Sequence, residues 1–209
     1  MADTTADIRR DDAKAREILK AARKHFITEG YASAAMEAIA REAGVSTATL
    51  YLYFPGKAEL FRHVILDASR DFGAAIDEIR KLEGDARQQL RAFARAYAQF
   101  LSEPFVRAIF RLVMAERKRF QATAQHFFDY GRAHIGAVLM GILSQLEQAG
   151  EIKVEKPSWA AGQLMGMIEH PVFFVPLVTG DEVKAARALG DIAEDAVETF
   201  MHRYGTAPR

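Results

Sequence analysis

Residues 39–61 read Ile39-Ala40-Arg41-Glu42-Ala43-Gly44-Val45-Ser46-Thr47-Ala48-Thr49-Leu50-Tyr51-Leu52-Tyr53-Phe54-Pro55-Gly56-Lys57-Ala58-Glu59-Leu60-Phe61. Met36, Ile39, Ala40 and Ala43 fall on one side of a short helix that Gly44 ends. Ser46 has the chemistry of an N-cap, because its hydroxyl accepts a hydrogen bond from a free backbone N–H of the helix it opens. That helix runs only from Thr47 to about Tyr53, where Phe54-Pro55-Gly56 breaks it and Lys57 begins another. Short helix, glycine turn, short helix is the geometry of a helix-turn-helix, whose second helix lies in the major groove of DNA. Many helical proteins contain such a corner, so the residue types matter as much as the spacing. Ile39, Val45, Leu50, Phe54 and Leu60 are spaced to form a small core, which leaves Ser46, Thr47, Thr49, Tyr51, Tyr53 and Lys57 facing outward. Hydroxyls, phenols and a lysine at a helix start all donate to phosphate oxygens.

Upstream of this stretch, residues 13–29 place Ile18, Leu19, Ala22 and Phe26 at helical spacings, with Gly30 as the stop. Downstream, a long helix opening at Lys57 carries Phe61, Ile65, Ala68, Phe72, Ile76 and Ile79. Residues 86–101 repeat the pattern, Pro104 fits the first turn of another helix, and 121–149 form a further one closed by Gly150. Pro157 opens a helix that Pro171 and Pro176 are expected to kink or interrupt. Asp181 is placed to cap a last helix with the stripe Ala186, Leu189, Ala193, Ala196 and Phe200. No β-alternation, repeat or low-complexity tract is evident. The expected fold is all-α, about nine helices.

The whole-chain numbers bound the function. The chain has 209 residues, half of them apolar, and no cysteine, which removes disulfides, thiolate metal sites and cysteine nucleophiles. No apolar run approaches the ~20 residues of a membrane span and the first residues are polar, so neither anchor nor secretory signal is expected and a cytoplasmic protein fits. The 28 basic and 28 acidic residues cancel, which argues against a protein that coats nucleic acid without specificity. From Arg9 to Lys24, however, seven basic residues stand against three acidic ones. A solvated helix face and a DNA-facing stretch are both compatible with that excess.

The run from Ile39 to Phe61, with Ala21-Ala22, Phe26 and Gly30-Tyr31 before it, closely resembles the signature of the tetracycline-repressor (TetR) family over residues 13–62. Residues 105–120 (FVRAIFRLVMAERKRF) resemble, more weakly, the regulatory domain of one subgroup of that family. The resemblance implies a flexible arm over 1–12, a three-helix DNA-binding domain over 13–60 and a helical ligand-binding and dimerisation domain over 61–209. It implies a homodimer on a palindromic double-stranded DNA operator, released by a small-molecule effector, with no cofactor and no membrane partner. It gives Tyr51, Tyr53 and Lys57 a phosphate-clamping role. Two departures stand out. Ala34 and Ala35 occupy positions where the family usually has a Thr/Ser pair, leaving Ser33 one place early. Residues 47–53 also hold no Arg, Lys, Asn or Gln to make bidentate bonds to bases. Readout is therefore expected to lean on Thr47, Ala48, Thr49 and Leu52 against thymine methyls, and on Arg41, with DNA shape supplying the rest.

The remaining two-thirds is rich in adaptable apolar side chains. Phe93, Tyr97, Phe110, Met114, Phe127, Met165, Phe173 and Phe174 are, as a set, candidates to line an effector cavity, with Glu169 and His170 as polar anchors; any one of the apolar residues taken singly is better explained as core, and the Glu169-His170 pair as solvent-facing beside a kink. Residues 157–178 and 182–204 are the expected dimer helices, with Ala161, Leu164, Ala185, Leu189 and Ala196 at their contact. An enzyme would need a constellation, and none is found. The six histidines show no metal spacing, and there is no glycine-rich phosphate loop or nucleophile elbow. No catalytic residue and no metal ligand is proposed. A helical scaffold that recruits only proteins would have no use for the Tyr51/Tyr53/Lys57 surface.

Overall fold

The structure, a computed structural model, describes residues 13–80, 85–182 and 187–206. The arm 1–12, with Arg9 and Arg10, and the interface candidate Ala185 lie outside them. Nine helices follow in order among the described residues: α1 (Ala13–Ser33), α2 (Met36–Glu42), α3 (Thr47–Tyr53), α4 (Lys57–Arg80), α5 (Ala86–Ser102), α6 (Pro104–Glu116), α7 (Gln121–Gln148), α8 (Pro157–Thr179) and α9 (Leu189–Tyr204). The only extended pairing among them is an isolated antiparallel bridge, Ile152 to Gly205. The all-α expectation holds. The chain divides into two compact units, Met1–Arg70 with Ala108–Phe128, and Asp71–Arg107 with Asp129–Arg209.

In the first unit, α1 buries Ile18, Leu19, Ala22 and Phe26, the stripe that its spacing predicts. Gly30 interrupts it with φ 76°, ψ 166°, a conformation that glycine adopts without a Cβ clash. Tyr31 beyond the break is then turned inward. Its ring lies 5.1 Å from Phe61 and 5.0 Å from Phe120, while Phe61 stacks 4.6 Å from Phe120 and meets Phe26 edge-on at 5.5 Å. Aromatic pairs of this kind contribute about 0.5–1.5 kcal/mol each beyond area burial. They tie α1, α4 and the α6–α7 turn into one core, a partnership for residues 108–128 that periodicity does not reveal. An Arg23–Asp67 ion pair at 2.5 Å adds a polar tie between α1 and α4.

In the second unit, α5 buries Leu90, Phe93, Ala94, Tyr97, Ala98 and Leu101, a stripe at spacings of three and four. A capping box between Asp85 and Gln88 opens the helix. Ile192, Ala193, Ala196, Val197 and Phe200 of α9 are buried in the same core, together with Leu164 and Ile168 of α8 and Leu139, Leu143 and Leu146 of α7. Arg91 and Arg95 both reach Glu194, fastening α5 to α9 at the surface.

Pro171 interrupts the α-helical pattern of α8, as expected, by way of a π-turn: over residues His170–Phe174 the Val175 N–H reaches back five residues to His170 O. Widening one turn accommodates the ring and the missing donor, so the helix continues to Thr179. Asp181 does not cap α9, which starts at Leu189 behind Ala188 with no side-chain cap. Its carboxylate instead takes the Nε–H of buried Arg107 at 2.5 Å, while Arg107 Nη1 donates to Leu101 O and Ser102 O at 3.1 and 2.7 Å. The last carbonyls of α5 have no helical partners, and this guanidinium supplies them.

Candidate nucleic-acid interface

Helices α1, α2 and α3 lie together in the first unit. Between α2 and α3, Gly44 takes φ 68° and turns the chain sharply. Ser46 caps α3 as its chemistry predicts: its Oγ accepts from Thr49 N–H at 3.0 Å and lies 2.8 Å from Thr49 Oγ1. Ile39, Leu50, Phe54 and Leu60 are buried; Val45, expected beside them, is only partly so. With Leu50 pointing in, the other face of α3 points out. Ser46 and Ala48 are exposed, Thr47, Thr49 and Tyr53 half-buried, Tyr51 is 43% exposed and Leu52 71%. A leucine that open to water on a seven-residue helix suits a methyl-reading contact. Arg41 is exposed in the last turn of α2.

The departures seen in the sequence have local consequences. Ala35 stands at the N-cap of α2 with no side-chain hydrogen bond, Ala34 is buried, and Ser33 is exposed at the end of α1. Lys57 behaves in a way that spacing does not reveal. Its Nζ donates to Ala32 O at 2.8 Å and lies 5.0 Å from the centre of the Tyr31 ring. The glycine break in α1 leaves that carbonyl near the surface, and the lysine covers it. A lysine has three donors, so this bond leaves capacity for a phosphate.

Two charged clusters brace the unit. Lys24 Nζ meets Glu42 at 2.5 Å, joining α1 to α2, and its hydrogen bond holds the Glu42 carboxyl below the usual carboxylate range. Glu59 accepts from Arg62 and lies 3.0 Å from Nε2 of buried His63, whose ring meets Phe54 edge-on. The Arg62 hydrogen bond, foremost, lowers the Glu59 pKa. The i, i+4 pairing of Glu59 and His63 is the signal from which this brace of the α3–α4 corner could be read.

The candidate effector and dimer residues separate. Phe110, Met114 and Phe127 belong to the first unit, where Phe127 is buried against Phe110 and Met114 is 60% exposed. Phe93, Tyr97, Met165, Glu169, His170, Phe173 and Phe174 belong to the second. There Phe93 is core, His170 and Phe174 are exposed and stacked at 5.8 Å, and Met165 and Phe173 are half-buried. Tyr97 Oη donates to Glu169 Oε1 at 2.5 Å, at the start of the π-turn. Burial first, and the Glu169 carboxylate second, push the Tyr97 phenol well above the usual tyrosine range. Of the expected interface residues, Ala161, Leu164 and Ala196 are buried in the second unit's own core and Leu189 packs against it. Their small or branched side chains serve packing within the protomer. The outer surface of α8 carries Trp159, 67% exposed, with Gly162, Gln163 and Val178. Between α8 and α9, Met167, Pro171, Ile192, Asp195 and Thr199 line an open groove of about 300 Å³. Among the described residues no group of histidine, aspartate and glutamate is placed to hold a metal ion.

A capped, seven-residue helix held across a glycine turn and presented by its exposed face defines a DNA-binding regulator of the helix-turn-helix class. Residues 18–64 match the family described as bacterial regulatory proteins, tetR family, and residues 88–206 match the AefR-like transcriptional repressor C-terminal domain. The chain belongs to the TetR family of transcriptional regulators, which are not enzymes. It is 33% identical over 90 residues to the transcriptional activator FasR of Mycolicibacterium smegmatis, a match that spans 43% of this chain and 41% of FasR. A TetR-family regulator from Mesorhizobium loti superposes with a TM-score of 0.75 at 26% identity, covering 92% of this chain and 97% of that one. The flavonoid-responsive regulator FrrA gives 0.68 at 27% identity, covering 93% and 98%.

Proposed function

We propose that the protein is a cytoplasmic, effector-responsive repressor that binds a palindromic operator as a homodimer and leaves it when a small apolar or amphipathic molecule enters the second unit. The observation that carries this reading is the exposed face of α3, Leu52 above all, on a helix otherwise fixed by Ser46 and Leu50. One such helix reads a half-site; two related by a two-fold axis read an inverted repeat at a spacing of ~34–36 Å.

The dimer contact is assigned to the outer surfaces of α8 and α9. The best 18-residue window of α8 has a mean hydropathy of 1.2 and only 28% of it is buried in the protomer. By length and composition such a helix could also cross a membrane, contrary to the expectation that no apolar run is long enough. The groove shared with α9 favours a second copy, whose α8 and α9 would complete a four-helix bundle. The effector reading is supported by the Tyr97–Glu169 pair beside the π-turn and by the likeness to the flavonoid-responsive regulator FrrA. Helix α4 begins at the DNA-binding residues and has residues in both units, so it is the natural carrier of the signal. An effector that prefers a DNA-incompetent spacing of the two α3 helices shifts the population away from the operator.

Selection from a randomised duplex pool, followed by the mass of the complex, tests this. Enrichment of an inverted repeat holding two protomers is expected. Recovery of no sequence, or of a single site holding one protomer, would count against it, as would partition of the purified chain into lipid vesicles through α8.

A further inference from the structure

The α6–α7 turn carries three consecutive cations, Arg117, Lys118 and Arg119, all exposed, with Glu116 as the adjacent acid. None of them lies in the helix-turn-helix, and the reading above gives them no task. The turn is nevertheless built into the first unit. Phe120 is held between Tyr31 and Phe61, and the Arg119 guanidinium lies over the Tyr31 ring at 4.6 Å. Backbone bonds from Arg119 N and Phe120 N to Glu116 O, at 2.9 and 3.0 Å, close the turn. These contacts hold Arg119, and with it the turn that carries Arg117 and Lys118, against the same aromatic ring that Lys57 approaches from the start of α4. Lys57 and Phe61 are four residues apart and so share a face of α4. The Lys57 ammonium and the Arg119 guanidinium are therefore no more than about 10 Å apart, close to the ~8 Å over which charges act at physiological salt. The N-terminus of the 24-residue α4 points its dipole into the same neighbourhood.

We propose that the α6–α7 turn, through Arg117, Lys118 and Arg119, is a second binding element for the DNA phosphate backbone, continuous with the Lys57 end of the helix-turn-helix surface. The inference rests on the DNA-binding reading and extends it to a segment far along the chain. Clustered guanidinium and ammonium groups with one neighbouring carboxylate fit a polyanion, and the partner at hand on this face is the duplex. The contact carries no sequence information; it adds affinity and salt dependence to specific and nonspecific sites alike.

The test compares the wild-type chain with Arg117→Gln/Lys118→Gln, which leaves Arg119 on Tyr31. Binding to a mixed-sequence duplex long enough for both reading heads is measured by fluorescence anisotropy across a salt series. The slope of log K against log salt is expected to fall in magnitude by about 0.9 for each phosphate released per protomer, with affinity down about tenfold at physiological salt. Arg117→Lys/Lys118→Arg should restore both. Lys153→Gln/Lys156→Gln, the same charge change in the second unit, should leave the slope as it was. A wild-type slope in the Arg117/Lys118 variant overturns the proposal while the helix-turn-helix reading stands, as does an equal loss in the Lys153/Lys156 variant. Failure of the wild-type chain to bind any duplex overturns both.

Discussion

Ser46 separates folding from DNA binding, because one substitution removes its cap and another keeps it while reversing its effect on DNA. The hydroxyl accepts from Thr49 N–H at 3.0 Å and is exposed. Replacement of an N-cap serine by alanine costs about 0.5–2 kcal/mol, and α3 is so short that one missing bond is a large share of its ladder. Ser46→Ala should therefore lower stability by ~1 kcal/mol. Ser46→Asp retains an acceptor of equal capping quality and adds a charge that the helix dipole favours by about 0.3–1 kcal/mol, so stability should match or exceed the wild type. On DNA the two diverge. A carboxylate ~4 Å from a phosphate is repelled by about 1 kcal/mol in bulk water, and by more where the interface excludes solvent. Two half-sites double the effect, so operator affinity should fall at least about thirtyfold for Ser46→Asp. Ser46→Ala should lose much less. Urea unfolding at fixed protomer concentration reads the first quantity, anisotropy on a selected operator the second. If Ser46→Asp binds as tightly as wild type while remaining folded, the N-terminus of α3 does not face phosphate and the docking argument fails.

Arg107→Met should destabilise the second unit by about 3 kcal/mol in urea with an unchanged m-value, since Leu101 O, Ser102 O and Asp181 all lose their charged donor. Asp181→Asn, at a third-exposed carboxylate, should cost about 1 kcal/mol, and a loss under 1 kcal/mol for Arg107→Met would show the clamp to be dispensable. Tyr97 is held neutral by burial and by Glu169, so its folded pKa lies above its unfolded value near 10. Above that pH the unfolded chain releases the proton and the folded one does not, so stability falls as pH rises; Tyr97→Phe should delay alkaline unfolding, and an unchanged profile would contradict this. Arg41→Ala should cost ~1–3 kcal/mol per half-site and relax preference at one base pair, whereas Tyr51→Phe should weaken all sequences alike; competition assays with single-base operator variants distinguish them.

What was legible in the sequence is what local chemistry decides. Gly30, Gly44, the Ser46 cap and Phe54-Pro55-Gly56 act through their own backbone neighbours, so the break within α1 and the short helices α2 and α3 are directly legible. The outward set on α3 follows from the position of Leu50 on a single helical turn. Partnerships between distant segments were not legible. The Tyr31–Phe61–Phe120 cluster joins three remote stretches, and each aromatic, seen alone, is simply another apolar residue. Asp181 looked like a cap because acids favour helix starts; the buried guanidinium 74 residues away that claims it leaves no trace in local spacing. The proline at 171 reads as a break unless a π-turn is allowed, and no single-residue propensity announces one. Whether Ala161, Leu164 and Ala196 face inward or outward is not legible, because small and branched residues serve inner and outer helix contacts equally well and only packing against the rest of the second unit's core decides the side.

The chain contains no cysteine, so a single one can be placed on α3 and addressed alone. Leu52→Cys carrying an iron chelate that cleaves nearby DNA asks directly whether this face reads the major groove. Two clusters of cuts related by the operator's two-fold axis are expected, their centres one helical turn apart at ~34–36 Å, with none from the same chelate on the exposed Lys156→Cys of the second unit. Cleavage spread evenly along the duplex from Leu52→Cys, or cuts as strong from Lys156→Cys, would contradict this reading.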